Sequence, residues 1–172
     1  AGAVTGNKEL VDKVRMYRDH GRRTKFEYET VGYNARIDNL QAVVVQAKLQ
    51  KIDQWLAKKR KICQRYTEKL KDVVITPKEA SWSYHTYYVY VIEVPKETRD
   101  ALQIFLKDKG IATNIHYKFP THTTKAFEKY GQSLPRTEYV CNNILSLPCY
   151  HSLPEHHQDY IVDAVKEFYE KH

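Results

Sequence analysis

The sequence has few of the residues that break helices or crosslink chains. It contains six glycines, six prolines and three cysteines among 172 residues. No apolar run approaches the roughly 20 residues that a membrane-spanning helix needs, and no charged start followed by an apolar segment indicates a signal peptide. The cysteines, Cys63, Cys141 and Cys149, are odd in number and widely spaced, which predicts neither a disulfide framework nor a cysteine-only zinc site. These absences favour a protein of the reducing cytoplasm.

The residues that are present indicate a folded chain with anionic ligands. Hydrophobic residues make up 42% of the sequence, 14 residues are tyrosine, and the formal charge is +7. Phosphorylated small molecules fit that charge as well as nucleic acid does. The opening "AGAVTGNKELVDKV" has no initiator methionine and runs from a strand-like piece directly into a helix. We therefore expect that the chain was cut from a longer polypeptide.

The first half of the sequence predicts helices. One begins at about Lys8, with Asn7 as its N-cap and Gly21 as its C-terminal stop. Residues 38–71 contain neither glycine nor proline, and Asp38 with Gln41 has the spacing of a capping box. A single helix over that range would be about 50 Å long at 1.5 Å per residue. The alternative is two helices with a kink near Trp55.

The second half changes to short, alternating elements after Pro77. The sequence predicts a small α+β unit of about three strands with helices on one side. The predicted strands are 84–94, 111–117 and 144–148; the predicted helices are Thr98 to Lys109, Lys125 to Tyr130, one after Pro135, and a last one opened by Ser152 and Glu155.

The basic runs and the histidines could indicate nucleic-acid binding and metal binding, but neither is accompanied by the motif or spacing that such sites need. The basic runs "KKRK" (58–61) and "GRR" (21–23) lack any accompanying nucleic-acid motif, and a charged run on a long helix is usually solvated. The histidines of the second half, together with Cys149, lack metal-ligand spacing. We expect no metal site, and histidines that are structural or contact substrate.

The segment "GYNARID" (32–38) is different because polar and bulky residues alternate in it. If Tyr33 and Ile37 are buried, Asn34 and Arg36 point together into a shared pocket. An amide offers a donor and an acceptor, and a guanidinium offers a fork that suits phosphate or carboxylate. On the residues alone this is either an anion site or a structural entry to the following helix.

Four segments, in order and spacing, resemble the second half of the DegT/DnrJ/StrS family of pyridoxal-phosphate-dependent sugar aminotransferases. The family patterns are approximately R-x-H-G, G-x-N-x-R-x-D-x-L-Q-A, I-x-x-x-I-H-Y-x-x-P-x-H and L-S-L-P. The matching segments are "RMYRDHG", "GYNARIDNLQA" with the helix after it, "IATNIHYKFPTHTTKAF" and "ILSLPCYHSLPEHHQDYIVDAV". One departure is Tyr28, where members of the family often have histidine.

The resemblance implies the C-terminal part of a fold-type-I aminotransferase of the α+β class, which acts as a homodimer. Residues 1–37 would end the large cofactor-binding domain, 38–71 would form a long connecting helix, and 72–172 would form the small domain. It also implies that Asn34 binds the phosphate of pyridoxal 5'-phosphate across the dimer. Arg36, His116 and Tyr117 would bind the nucleotide-linked sugar.

The resemblance also implies what this chain does not carry. The family's Schiff-base lysine lies in a motif upstream of the strand with which this chain begins, so we expect no catalytic residue here and an inactive chain. The parent would transfer an amino group from glutamate to a nucleotide-linked keto-deoxysugar, for a surface glycan or a glycosylated product. Two alternatives stay open: a sugar dehydratase of the same family, or a binding module that kept this half of the fold.

Overall fold

A computed structural model describes residues 3–171, which form two compact units, 3–52 and 53–171. The first two residues of the predicted strand-like opening lie outside the described residues, and residues 3–5 form no strand. The domain boundaries predicted at 37/38 and 71/72 stay predictions. Within the described residues, the first unit contains helices and irregular segments, and the second contains helices around a small sheet.

The first unit holds two helices. Helix α1, Lys8–Arg18, begins as predicted, with Asn7 Oδ1 accepting from the Leu10 N–H at 2.9 Å. Helix α2, Asn39–Leu49, has Asp38 as its N-cap, and the Asp38 N–H donates to Gln41 Oε1 at 3.4 Å. The predicted capping box is thus confirmed. Neither helix buries a side chain among the described residues, so this unit has no apolar core of its own.

The long helix predicted over 38–71 is interrupted. Helix α2 ends at Leu49, and α3, Ile52–Leu70, starts after a two-residue turn that lies five residues before the kink considered at Trp55. The Lys51 N–H donates to the Lys48 carbonyl three residues back, at 3.0 Å. The hydrogen-bond ladder therefore tightens into a 3₁₀-type turn here, although no glycine or proline marks the place.

The second unit packs helices on a two-stranded antiparallel sheet. Strands β1, Tyr90–Glu93, and β2, Ile144–Leu147, pair with Tyr90 opposite Leu147. The helices that follow α3 are α4, Lys96–Asp108, α5, Pro135–Asn143, and α6, Glu155–Lys171, with 3₁₀ turns at Thr121–Thr123 and Lys125–Tyr130. The α+β class is confirmed.

The predicted strand 111–117 is reduced to a single bridge. Asn114 pairs with Ser146 on the outer side of β2, and Ile75 pairs with Glu93 on the outer side of β1. Residues 84–89 do not extend β1, because Tyr87 has a φ of 46°, which breaks the extended conformation. The prediction of about three strands thus becomes two strands with one bridged residue on each edge.

The core of the second unit lies between the sheet and the helices. Each fully buried aliphatic or aromatic side chain contributes about 1.5–3 kcal/mol relative to an exposed position. The residues of this core that are at most 2% exposed are Cys63, Tyr66, Leu70, Tyr90, Ile92, Val94, Leu102, Leu106, Leu145, Val162, Val165 and Phe168.

Candidate functional site

The segment 32–38 lies extended against the C-terminal end of α1. The Tyr33 N–H donates to the Tyr17 carbonyl at 2.7 Å, and the His20 N–H donates back to the Tyr33 carbonyl at 3.0 Å. Two residues on, the Ala35 N–H donates to the Arg18 carbonyl at 2.9 Å. Two of these bonds satisfy carbonyls that the helix end leaves free, and all three fix the segment that carries Asn34 and Arg36.

Arg36 belongs to a compact charge cluster. Its Nη1 lies 3.4 Å from Asp19 Oδ1. Arg22 donates two hydrogen bonds to the same carboxylate, from Nε at 2.9 Å and from Nη2 at 3.0 Å. The hydrogen bonds from Arg22, followed by the charges of Arg22 and Arg36, hold the pKa of Asp19 below its usual value. Asp19 therefore stays ionised and holds the Arg36 guanidinium near the C-terminal end of α1.

A largely basic cleft of about 660 Å³ surrounds this cluster. The positive side chains outnumber the acidic ones there, so the cleft suits a small anion better than a cation. Its lining residues are Glu9, Asp12, Lys13, Arg15, Met16, Arg18, Asp19, Arg22, Arg23 and Arg36.

The sequence predicted that Asn34 and Arg36 would share a pocket if Tyr33 and Ile37 were buried. The described residues do not form such a pocket. Tyr33 is 72% exposed and Ile37 is 46% exposed, so neither is buried by residues 3–171. Asn34 is exposed as well, and its side chain makes no hydrogen bond within the described residues. The segment is extended, as alternating side chains require, but no surface among the described residues covers Tyr33 and Ile37.

His116 is held in one orientation at the edge of the sheet. Its Nδ1 lies 2.9 Å from Ser146 Oγ, and its Nε2 lies 3.2 Å from Asn114 Nδ2. The Asn114 amide is oriented because its Oδ1 accepts from the Ile115 N–H at 2.8 Å, so Nδ2 faces the histidine as a donor. Nε2 must then accept, and Nδ1 carries the hydrogen that is donated to Ser146.

Tyr117 projects from the same turn. Its ring stands edge-on to His116 with centroids 5.6 Å apart, and the side chain is 69% exposed. His116 also lines a cavity of about 370 Å³ on the β2 edge. Residues that sequence reasoning did not connect with the site share this cavity: Tyr88, Val89, Ala112, Thr113, Asn114, Ser146, Leu147, Pro148 and Cys149.

Helix α3 fastens the segment 148–151 that follows β2. The Tyr66 hydroxyl donates to the Pro148 carbonyl at 3.0 Å, and the Trp55 and His151 rings stack at 4.8 Å. Between these contacts, the sulfur atoms of Cys63 and Cys149 lie 3.2 Å apart. The sequence could not reveal this pair, because its members are 86 residues apart and follow no motif.

The basic run 58–61 is only partly a solvated surface. Arg60 forms a bidentate pair with Glu79 at 2.9 and 2.8 Å, and Lys59 donates to the Tyr88 carbonyl at 2.9 Å. Lys58 and Lys61 are exposed. Half of the run is therefore used to hold the segment 79–88, which weakens a nucleic-acid interpretation.

Two further classes of site find no support within residues 3–171. No group of three or more His, Cys, Asp or Glu side chains is arranged there to hold a metal ion. Among the helices of that range, none combines the length and the apolar character that crossing a membrane requires.

The architecture matches one half of solved structures from other proteins. Streptomyces venezuelae DesV, solved in complex with a ketimine intermediate, is 32% identical with a TM-score of 0.89; the match covers 97% of this chain and 46% of that one. The family model of the DegT/DnrJ/EryC1/StrS aminotransferases matches residues 1–166. The chain belongs to this family, which confirms the resemblance drawn from the four motifs.

Two curated relatives are about twice as long as the part of them that this chain matches. The pleiotropic regulatory protein of Geobacillus stearothermophilus is 39% identical over 173 residues, which are 96% of this chain and 46% of the relative. The dTDP-3-amino-3,4,6-trideoxy-alpha-D-glucose transaminase of Micromonospora megalomicea subsp. nigra is 35% identical over 174 residues, with 95% and 46% covered. The chain thus spans about half the length of the relatives that it matches.

Proposed function

We propose that this chain is the C-terminal portion of a pyridoxal 5'-phosphate-dependent aminotransferase. The reaction moves an amino group from glutamate to the keto carbon of a nucleotide-linked deoxysugar, leaving 2-oxoglutarate and the amino sugar. The observation that carries the proposal is the segment 32–38. It has the family motif, it is held extended by three backbone hydrogen bonds, and it leaves the Asn34 side chain without a partner among residues 3–171.

The side chains of this segment suit the cofactor's phosphate and the charged part of a substrate. The Asn34 amide offers N–H donors to a phosphate oxygen. Arg36 is about half exposed and has only a 3.4 Å contact to Asp19, so most of its N–H groups stay available to an anion. Pyridoxal phosphate, when bound, supplies the electron sink for the amino transfer. In this scheme Asn34 holds cofactor, Arg36 holds substrate, and Asp19 positions Arg36.

The second unit would supply contacts to the nucleotide-linked sugar. Because Ser146 and Asn114 occupy both ring nitrogens of His116, we assign that residue a positioning role: its fixed ring orients Tyr117. Tyr117 then offers an exposed ring for stacking and a hydroxyl for a hydrogen bond to sugar or diphosphate. Substitution of Tyr117 should accordingly weaken substrate binding directly.

A homodimer with composite sites is part of the proposal. Helix α2 exposes an apolar surface that includes Leu40 at 83%, Val43 at 63% and Leu49 at 58%. Apolar surface of this kind is usually covered by a partner.

The cellular location is also part of the proposal. The three free cysteines fit action in a reducing compartment, which supports the cytoplasm as the site of glycan precursor synthesis.

The test is amino transfer by the longest form of the protein that cells make. With glutamate and a dTDP-linked 3-keto sugar, mass spectrometry should find amino sugar and 2-oxoglutarate in equal amounts. Asn34→Ala should lose cofactor on dialysis, while Gln132→Ala, which removes an exposed amide elsewhere, should retain it. A sugar product that has lost water and gained no nitrogen would identify the dehydratase instead.

The 172-residue chain provides a separate check. We expect no retained cofactor absorbance from it, because the lysine that the family uses lies in a motif upstream of the corresponding residues. A clear cofactor band from this chain would contradict that expectation. Salt-sensitive binding to DNA of any sequence, with no binding of a nucleotide sugar, would favour the non-catalytic module.

A further inference from the structure

We propose that Cys63 and Cys149 form a redox-active dithiol, which a low-molecular-weight disulfide converts to an intramolecular disulfide that locks the segment 148–151 onto α3. The two sulfur atoms lie 3.2 Å apart, in contact and not bonded. A disulfide needs about 2.05 Å, so closure asks for a movement of about 1 Å. This inference does not depend on the proposed aminotransferase activity.

The two thiols have different access, which divides the roles between them. Cys149 is half-buried and lines the open cavity of about 370 Å³ beside His116. Cys63, on α3, is 0% exposed, and its sulfur lies in contact with that of Cys149. An incoming disulfide can therefore meet Cys149 first, and Cys63 can act only as the second, resolving thiol.

The pKa values of the two thiols also favour Cys149 as the first to react. The hydrogen bond from Cys63, assisted by the charge of Lys59, lowers the pKa of the Cys149 thiol. The hydrogen bond with Cys149 and burial raise the pKa of Cys63. Since the thiolate is the nucleophile, Cys149 attacks and Cys63 keeps its proton until the second step.

The chemistry balances with oxidised glutathione as the electron acceptor. The Cys149 thiolate attacks one sulfur of glutathione disulfide, forming a mixed disulfide and releasing one glutathione thiolate. Cys63 then attacks the Cys149 sulfur, transfers its proton to the second departing glutathione, and closes the Cys63–Cys149 bond. Two thiols of the protein are oxidised, and one glutathione disulfide is reduced to two glutathione molecules.

The neighbouring contacts explain why the pair should close without disturbing the fold. The Tyr66–Pro148 hydrogen bond and the Trp55–His151 stack already hold the segment on α3 on either side of the cysteines. The bond would close a loop between residues 86 positions apart and restrict the unfolded chain accordingly. We expect the melting temperature to rise by roughly 10 °C on oxidation.

The experiment incubates the longest form of the protein that cells make with oxidised glutathione and follows its intact mass and peptide map. We expect the loss of two hydrogens, one crosslink between the peptides of Cys63 and Cys149, and full reversal by dithiothreitol. Cys141→Ser, which removes the third cysteine, should behave like the unchanged chain. No reaction, a crosslink through Cys141, or a lasting glutathione adduct on Cys149 of the unchanged chain would each overturn the proposal.

Two variants test the order of the steps. Cys63→Ser should stop at a glutathione adduct on Cys149, because the resolving thiol is gone. Cys149→Ser should not react, because Cys63 is fully buried. Rapid modification of Cys63 in Cys149→Ser would refute the assignment of Cys149 as the attacking thiol, and this result is decisive even if Cys63→Ser does not fold.

Discussion

Gly32 stands directly against Gly21 at the end of α1. A Cβ on Gly32 would lie 2.1 Å from the Gly21 nitrogen, and one on Gly21 would lie 1.9 Å from the Thr30 carbonyl oxygen. Gly21 also has a φ of +77°, which side-chain-bearing residues adopt with strain. This close backbone approach lets the segment that carries Asn34 and Arg36 bond to the helix end.

Replacing Gly32 by alanine should therefore detach the segment. The clash is with backbone, so no side-chain rotation can relieve it. Amide hydrogen exchange at Tyr33 and Ala35 should accelerate by about tenfold or more, equivalent to ~1.4 kcal/mol of local stability. Gly131→Ala is the control, because its new Cβ would meet its nearest atom at 3.7 Å. Unchanged exchange at Tyr33 in Gly32→Ala would contradict the assigned geometry.

Arg60→Lys should loosen the segment 79–88 although the charge is kept. Arg60 grips Glu79 with two nitrogens, donates to the His85 carbonyl at 2.6 Å, and lies 4.2 Å from the centre of the Tyr84 ring. An ammonium cannot reproduce that planar fork. The His85 amide, which donates to Glu79 at 2.7 Å, should exchange several-fold faster.

The control for this substitution is Lys61→Arg, an opposite change at an exposed position of the same helix. It should leave exchange at His85 as it was. Equal protection of His85 in Arg60→Lys and in the unchanged chain would show that charge alone holds the segment.

Gln158→Ala should destabilise the second unit by about 1–3 kcal/mol. Gln158 is 1% exposed; its Nε2 donates to the Ile62 carbonyl at 2.6 Å, and its Oε1 accepts from Arg65 at 3.3 Å. Truncation removes both bonds across the α3–α6 contact and leaves a small cavity. Urea unfolding measures the loss.

Gln64→Ala is the matched change, because Gln64 is exposed on α3. Its free energy of unfolding should stay within about 0.5 kcal/mol of the original value. If the two variants are equally stable, the buried amide bridge does not contribute to folding.

The second unit should lose stability in acid partly through Glu167. Hydrogen bonds from Lys171 at 2.6 Å and Lys109 at 2.9 Å lower the pKa of this carboxyl from 4.5 to about 2. A carboxyl whose folded pKa lies below its unfolded value stabilises fully above the unfolded value. That stabilisation is lost as the pH falls from 4.5 to about 2.

Urea unfolding across that range should therefore show a steeper loss for the original chain than for Glu167→Gln. The difference should shrink in high salt, since the side chain is 35% exposed and the pairs are screened. Parallel acid profiles for the two proteins would show that the pairs contribute nothing to folding.

Much of the fold could be predicted from local sequence. Asn7 and the Asp38–Gln41 pair mark helix starts through bonds that span three residues, so the sequence states them directly. The short, mostly apolar run at 144–148 also located β2. The break at Gln50 and Lys51 was not predictable, because it has no glycine or proline and arises from how the hydrogen-bond ladder tightens.

By itself, then, the sequence determined the family, the α+β class and the identity of the motif residues, because local periodicity and short-range spacing carry that information. Only the tertiary structure decided what those residues touch. It paired Arg36 with Asp19, fixed the His116 ring through Ser146 and Asn114, and brought Cys63 to Cys149. Apart from Asn114, which lies two residues from His116, these partners are distant in the chain, and their geometry follows from packing that no local pattern specifies.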